Sequence, residues 1–376
     1  MADASVADMA NSLDGKVTYS SIMDFRGMKE IYRGRHSVVW RCQCRATKLP
    51  LVLKGYVKEK MRVRHFQQVS REIALMQKCV TAGIVRFAGS FEDAKCVYIA
   101  QEDCSGGDLF QMLNDCGGVM PERDVVLRVI APLLISLHKL HLINVLHRDI
   151  KPENIFFSSN GDLKLGDFGL AICTLTERPK SRVGTLDYMA PEVISLPNHE
   201  EREAVEKKHG MQNVSYYGPK VDVWSVGVLA YELLVGRPPF EVEGERETAL
   251  RIMFDDNIEF PARVGPEAAS FIKLALTKST AKRPTAMQIL GHPWILMHSV
   301  QAAAPMASGA GPSTLRPDIP GSPSAAAQVQ QGMEVDSREG GFEVQGSGGS
   351  GASGKGSFSL GRVKNFLSGK LGKGNA

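Results

Sequence analysis

Hydrophobic and polar positions divide the chain into a patterned middle and unpatterned ends. From about Phe25 to about Met297 apolar residues recur at regular spacing. Short apolar runs come first, among them residues 51–54 and 97–101, and predict buried strands. Longer runs of helical period follow, among them 125–140 and 223–235. Strands early and helices late predict a small sheet-rich lobe followed by a helical one. Residues 1–24 are small and polar and read as a disordered tail. After His298 the pattern stops. Residues 301–357 hold 12 Gly, many Ala, Ser and Pro, and one aromatic, Phe342. Such a stretch buries too little apolar surface to offset its ordering entropy, so 299–356 reads as a disordered linker. Within 357–376 Leu360, Val363, Phe366, Leu367 and Leu371 return at helical spacing among Arg362, Lys364, Lys370 and Lys373. This basic amphipathic tail suits an anionic membrane or a partner protein's groove, and a plain solubilising tail is equally open.

Composition narrows the class. The chain has 376 residues, 43% hydrophobic and 23% charged, which excludes a collagen-like repeat and a small disulfide scaffold. The formal charge of +4 from 45 basic and 41 acidic residues gives no support for a nucleic-acid-binding surface, so no direct nucleic-acid partner is expected. The seven Cys include no C-x-x-C pair, and the first residues lack a signal peptide's basic cluster and apolar core. No run of 18 apolar residues predicts a membrane span. The expectation is a chain with free thiols in a reducing, cytoplasmic setting.

Chemistry concentrates in three motifs. His147-Arg148-Asp149-Ile150-Lys151-Pro152-Glu153-Asn154 is followed 13 residues after Asn154 by Asp167-Phe168-Gly169, and then by Ala190-Pro191-Glu192. In this order, with Lys54 upstream, they resemble a eukaryotic protein kinase of the serine/threonine type, over about residues 25–296. The resemblance implies an α+β, two-lobed fold: a five-stranded antiparallel sheet plus one helix (about 25–103), then a mainly helical lobe (about 104–298) with a charged insert at 197–214. It also implies ATP and Mg²⁺ as cofactors and protein Ser/Thr hydroxyls as acceptors. A transferring phosphoryl group spreads charge over its oxygens, so the protein must supply position and cations. Asp149 resembles the carboxylate that accepts the hydroxyl proton, and Lys151 the cation beside the γ-phosphate. Asn154 and Asp167 resemble the Mg²⁺ ligands. Lys54 resembles the strand lysine on the α- and β-phosphates, and Glu72 its helix partner. Val39 and Val52 would cover the adenine, Phe156 would lie beneath it, Gln101 aligns with the gatekeeper, and Glu102 and Cys104 would offer backbone groups. Asp222 resembles the anchor of the catalytic loop, and Arg283 the buried partner of Glu192.

The glycine-rich loop departs from the family. Of its three glycines only Gly34 remains, with Tyr32 and Ser37 in the other places. Only glycine takes positive φ freely, so a stiffer loop is expected, and a pseudokinase scaffold stands as the alternative reading. Gly184-Thr185-Leu186-Asp187-Tyr188 is most similar to Aurora-type kinases, while Asn154-Ile155-Phe156 is closer to the NimA-related kinases. That branch makes cytoplasmic, nuclear or microtubule-associated settings plausible by analogy. Ser181, four residues before Thr185, stands where Aurora-type kinases carry an activating phosphate. Arg178, Lys180 and Arg182 surround it, and Arg148 is its expected partner. Asp108, Glu153 and Glu232 together predict a preference for Arg upstream of the acceptor.

Overall fold

The computed structural model describes residues 17–197 and 216–303. Most of the charged insert, the 304–356 linker and the 357–376 tail lie outside the described residues.

The first lobe is a five-stranded antiparallel sheet. Its strands are β1 (Phe25–Arg33), β2 (Ser37–Cys44), β3 (Pro50–Val57), β4 (Phe87–Glu92) and β5 (Cys96–Glu102), ordered β1-β2-β3-β5-β4. Strand alternation in β3 divides its work. Leu51 and Leu53 point into one apolar cluster with Phe25, Phe91 and Ala100. Gly55 follows on that same side because a Cβ there would stand 2.8 Å from the Trp40 ring. Val52, Lys54 and Tyr56 therefore share the opposite face. Helix α1 (Val63–Lys78) packs beneath the sheet through Val69, Ile73, Leu75 and Met76.

Residues 17–24 pack against the sheet, which corrects the expectation of a disordered tail as far as residue 24, while residues 1–16 lie outside the described residues. Tyr19 is 6% exposed, with its ring 4.8 Å from that of Phe25. Gly89 makes room for it, since a Cβ there would lie 2.7 Å from the Tyr19 ring. Ser21 then caps a short 3₁₀ turn, Ile22–Asp24, whose Asp24 carboxylate accepts from the Ser20 and Ser21 amides.

The second lobe begins with α2 (Leu109–Asp115) and the helical segment Glu122–Leu142, α3, which contains a π turn at Val125–Ile130. This segment is long and apolar enough to cross a membrane, yet Val125, Val129, Leu133, Leu137 and Leu140 are fully buried in the lobe's core. Two small ladders follow. β6 (Val145–Leu146) pairs with β9 (Ile172–Cys173), and β7 (Ile155–Phe157) pairs with β8 (Leu163–Leu165). The segments 147–154 and 166–171 are each strung between these two ladders. Helices α4 (Pro191–Ile194), α5 (Lys220–Val235), α6 (Glu245–Phe254), α7 (Pro266–Ala275), α8 (Ala286–Leu290) and α9 (Pro293–Ala303) complete the lobe. From Val221 to Leu234 every residue of α5 is buried, so it is the lobe's central post. Helix α9 runs five residues past the expected domain end at 298, through Gln301-Ala302-Ala303, where alanine favours helix.

Candidate active site

Two turns with left-handed backbone present the acidic groups. Arg148 has φ +68° and Asp167 φ +54°, conformations that cost non-glycine residues energy unless neighbours hold them. Asp222, fully buried on α5, is one such holder. Its carboxylate accepts from the backbone amides of His147 (3.1 Å) and Arg148 (2.9 Å) and meets His141 Nε2 at 2.8 Å. Burial opposes its charge, but the His141 and Arg148 bonds outweigh burial and keep its pKa below the usual aspartate value. His147 reaches from the same turn to the Gly166 carbonyl (2.9 Å), and its ring meets Phe168 edge-on at 5.2 Å.

Asp149 sits inside this frame. Asn154 Nδ2 donates to Asp149 Oδ2 and to its backbone oxygen, both at 2.8 Å. Lys151 Nζ is 3.0 Å from Asp149 Oδ2 and 3.1 Å from Thr185 Oγ1, while Thr185 donates to Asp149 Oδ1 at 3.1 Å. Asn154 spends its amide nitrogen on Asp149, which leaves its Oδ1 as the atom for a cation. With the Asp167 carboxylate this gives two hard oxygen donors, which fits Mg²⁺. Among the described residues no group of three or more His, Cys, Asp or Glu is placed to hold a metal, so substrate oxygens would complete such a shell.

Lys54 joins the lobes. Its Nζ is 3.0 Å from Glu72 Oε1 and 3.0 Å from Asp167 Oδ1. Burial alone would discharge Lys54, but Asp167 and Glu72 hold its pKa well above the ordinary lysine value. The Lys54 charge pulls Asp167 down to about 2. Glu72 moves the other way, because burial raises it more than Lys54 lowers it.

The expected adenine residues line one end of the sheet. Val39 pairs with Lys54 across β2 and β3, and Val52 with Gln101 across β3 and β5. Glu102 spends its carboxylate on the Arg86 amide (2.8 Å) and Lys164 (3.1 Å), and its own N–H donates to the Arg86 carbonyl (3.0 Å), so neither its carboxylate nor its N–H is offered to a ligand. Burial pushes the Cys104 thiol up to about 12 and keeps it protonated. Phe156 fits where a smaller residue is usual because Gly166 yields the space: a Cβ at Gly166 would lie 2.7 Å from the Phe156 ring. The glycine loop is a tight hairpin closed by Gly34 N–H to Ser37 O at 2.8 Å, with the Tyr32 ring folded over Gly34. Its tip is tied down where Val57 N–H donates to His36 O and where the His36 and His65 rings meet at 4.7 Å.

Some expected groups are used elsewhere. Glu232 is buried and accepts from the Tyr188 hydroxyl, so it does not face outward as a groove acid. Asp108 caps α2 through the Gln111 amide. Glu153 is exposed. Arg148 donates to Leu170 O (2.7 Å) and to the Tyr217 hydroxyl (2.8 Å), and that hydroxyl donates to Ser181 O (2.9 Å). Arg178 lies over the Tyr216 ring and bonds its hydroxyl at 2.9 Å. The expected Glu192–Arg283 pair is present as a bidentate bond of 2.6 and 2.9 Å, with Arg283 fully buried.

Sequence reasoning missed three groups. Tyr56 donates to Glu72 Oε2, Arg71 on α1 pairs with Glu177 at 2.5 Å, and Gln68 Nε2 donates to Gly169 O at 2.8 Å. Only Tyr56 carried a signal, since it is two residues from Lys54 on the same strand face.

A model of the protein kinase domain matches residues 25–295. Aurora kinase A-B of Xenopus laevis is 34% identical over 291 residues, covering 77% of this chain and 66% of that protein. Aurora kinase of Schizosaccharomyces pombe is 34% identical over 272 residues, 72% of this chain and 71% of that protein. Aurora kinase C of Mus musculus is 33% identical over 282 residues, 74% of this chain and 94% of that protein. The chain spans slightly under two thirds of the length of the two Xenopus laevis relatives, at 66% and 65%.

Proposed function

We propose that this chain, which belongs to the protein kinase family and is Aurora-like within it, moves the γ-phosphoryl group of ATP to serine and threonine hydroxyls of protein substrates. One observation carries the reading: Lys54, Glu72 and Asp167 form one ion-paired set, and Asn154 and Lys151 are bonded to Asp149. Asp149 accepts the acceptor hydroxyl's proton, and Lys151 and Thr185 fix its carboxylate for that task. Lys54 steadies the α- and β-phosphates. Asn154 and Asp167 hold Mg²⁺, which when bound neutralises charge developing on the phosphate oxygens. Transfer of labelled phosphate from ATP to a generic basic peptide, measured beside Asp149→Asn, tests the reading. Transfer by the wild type and a loss of about 10²–10⁴-fold in the variant is the expected result. Nucleotide binding without transfer would instead favour the pseudokinase scaffold, which the replaced loop glycines support.

Four finer readings belong with it. Phosphorylation at Ser181 orders the activation segment, its phosphate competing with Tyr217 for Arg148. Mass spectrometry of active enzyme and the kinetics of Ser181→Ala check this, and full activity in Ser181→Ala rejects it. The acceptor preference is for upstream Arg, recognised by Glu153 with less help than the sequence promised; a peptide array showing acidic preference would count against it. The enzyme works in the cytoplasm, where imaging of the tagged full chain would place it, and its 357–376 segment meets an anionic membrane. Failure of a 355–376 peptide to sediment with anionic vesicles at low salt removes the membrane role.

A further inference from the structure

Glu72 has two carboxylate oxygens and is 2% exposed, so both must be satisfied inside the protein. Lys54 meets only Oε1. The second oxygen accepts from the Tyr56 hydroxyl at 2.5 Å. Tyr56 comes from the same strand face as Lys54, and its ring centroid lies 5.2 Å from Lys54 Nζ. One side chain thus touches both members of the ion pair. We propose that Tyr56 is a positioning residue for phosphoryl transfer, its hydroxyl fixing the Glu72 carboxylate and its ring supporting the Lys54 ammonium, so that Lys54 is aimed at the nucleotide phosphates.

Without the hydroxyl, Glu72 Oε2 is a buried anionic oxygen with no donor from β3. The carboxylate then gains by turning both oxygens toward Lys54, and the lysine follows it away from the phosphates. Packing does not explain the residue. A leucine would fill an apolar gap as well, but would leave that oxygen unpaired, and burial already weighs against the charge on Glu72. Gln68 and Arg71 of α1 are committed to Gly169 and Glu177, and so do not substitute for it.

The inference rests on the kinase reading, and a double-mutant cycle on the full chain separates the two. Wild type, Tyr56→Phe, Glu72→Gln and the double variant are compared in kcat/KM for ATP, in KM for the peptide, and in affinity for ATP by titration. Tyr56→Phe keeps the ring, so melting temperature checks that the fold survives. The expected result is a loss of about tenfold in kcat/KM for ATP in Tyr56→Phe, with the peptide KM unmoved. In the Glu72→Gln background the same change costs less than about twofold, because the residue acts through Glu72. Equal losses in both backgrounds, or no loss in either, overturn the proposal. If the wild type binds ATP but transfers nothing, the kinase reading fails and the same cycle in ATP affinity still decides the role of Tyr56. No binding of ATP by the wild type overturns both.

Discussion

The hairpin that would cover a nucleotide's phosphates and the loop that would act on them are built on opposite plans. The catalytic loop hangs from Asp222, a buried carboxylate bonded to two backbone amides and a histidine. The hairpin at Gly34 is held by two neutral backbone bonds and a histidine ring contact, and is covered by Tyr32, which is 48% exposed. A buried charged anchor punishes any change, since a group left behind loses both water and partner. A half-exposed turn accommodates change through water. That difference explains why the motif around Asp149 is complete in this chain while two of three loop glycines are replaced.

Four substitutions sharpen or break this contrast. The largest effect is expected in Lys54→Met: on the proposed function, phosphoryl transfer falls about 10²–10³-fold while circular dichroism stays native, because the variant removes the cation assigned to the phosphates. Glu192→Ala comes next. It leaves the buried Arg283 charge with backbone carbonyls of Thr277, Lys220 and Lys278 but no counter-charge, and lowers stability by about 3–5 kcal/mol, read from urea unfolding. Gly166→Ala drives a methyl into the Phe156 ring at a cost of about 1–3 kcal/mol in thermal melts, with a raised KM for ATP. Adding Phe156→Leu to the same chain restores much of both. The smallest effect is expected at the hairpin, where Tyr32→Gly changes stability by about 0.5–1 kcal/mol and KM for ATP less than about threefold. A tenfold rise there would show that the exposed turn is as tightly specified as the buried one.

The sequence made the catalytic set legible because its chemistry demands fixed residue types at fixed spacing. The structure brings Lys54, Glu72 and Asp167 together and bonds Asn154 to Asp149. Strand and helix order was legible because short apolar runs such as that in β3 come first and a long, mostly apolar run such as that in α5 comes later. What escaped was pairing between distant residues of ordinary type. Arg71 and Glu177 are 106 positions apart, and nothing local in either marks the other. How Phe156 is accommodated was not legible because its complement, Gly166, lies ten residues on and across a hairpin. Tyr19 was hidden by the polar residues around it; its ring rests on Gly89, and the Ser21 and Asp24 cap fixes the turn that follows. Glu232 was misread because a carboxylate in sequence carries no sign of which neighbour will claim it.

Helix α1 is fastened to the segment after Asp167 at two points, Gln68 to Gly169 and Arg71 to Glu177, both beyond the Asp167 that meets Lys54. Amide protons in these two stretches are therefore expected to exchange with solvent as one cooperative unit, since two separate contacts tie the same helix to the same segment. An inhibitor or partner that opens one end of this unit would be felt at the other, and hydrogen-exchange protection of residues 63–78 would rise and fall together with that of residues 169–177.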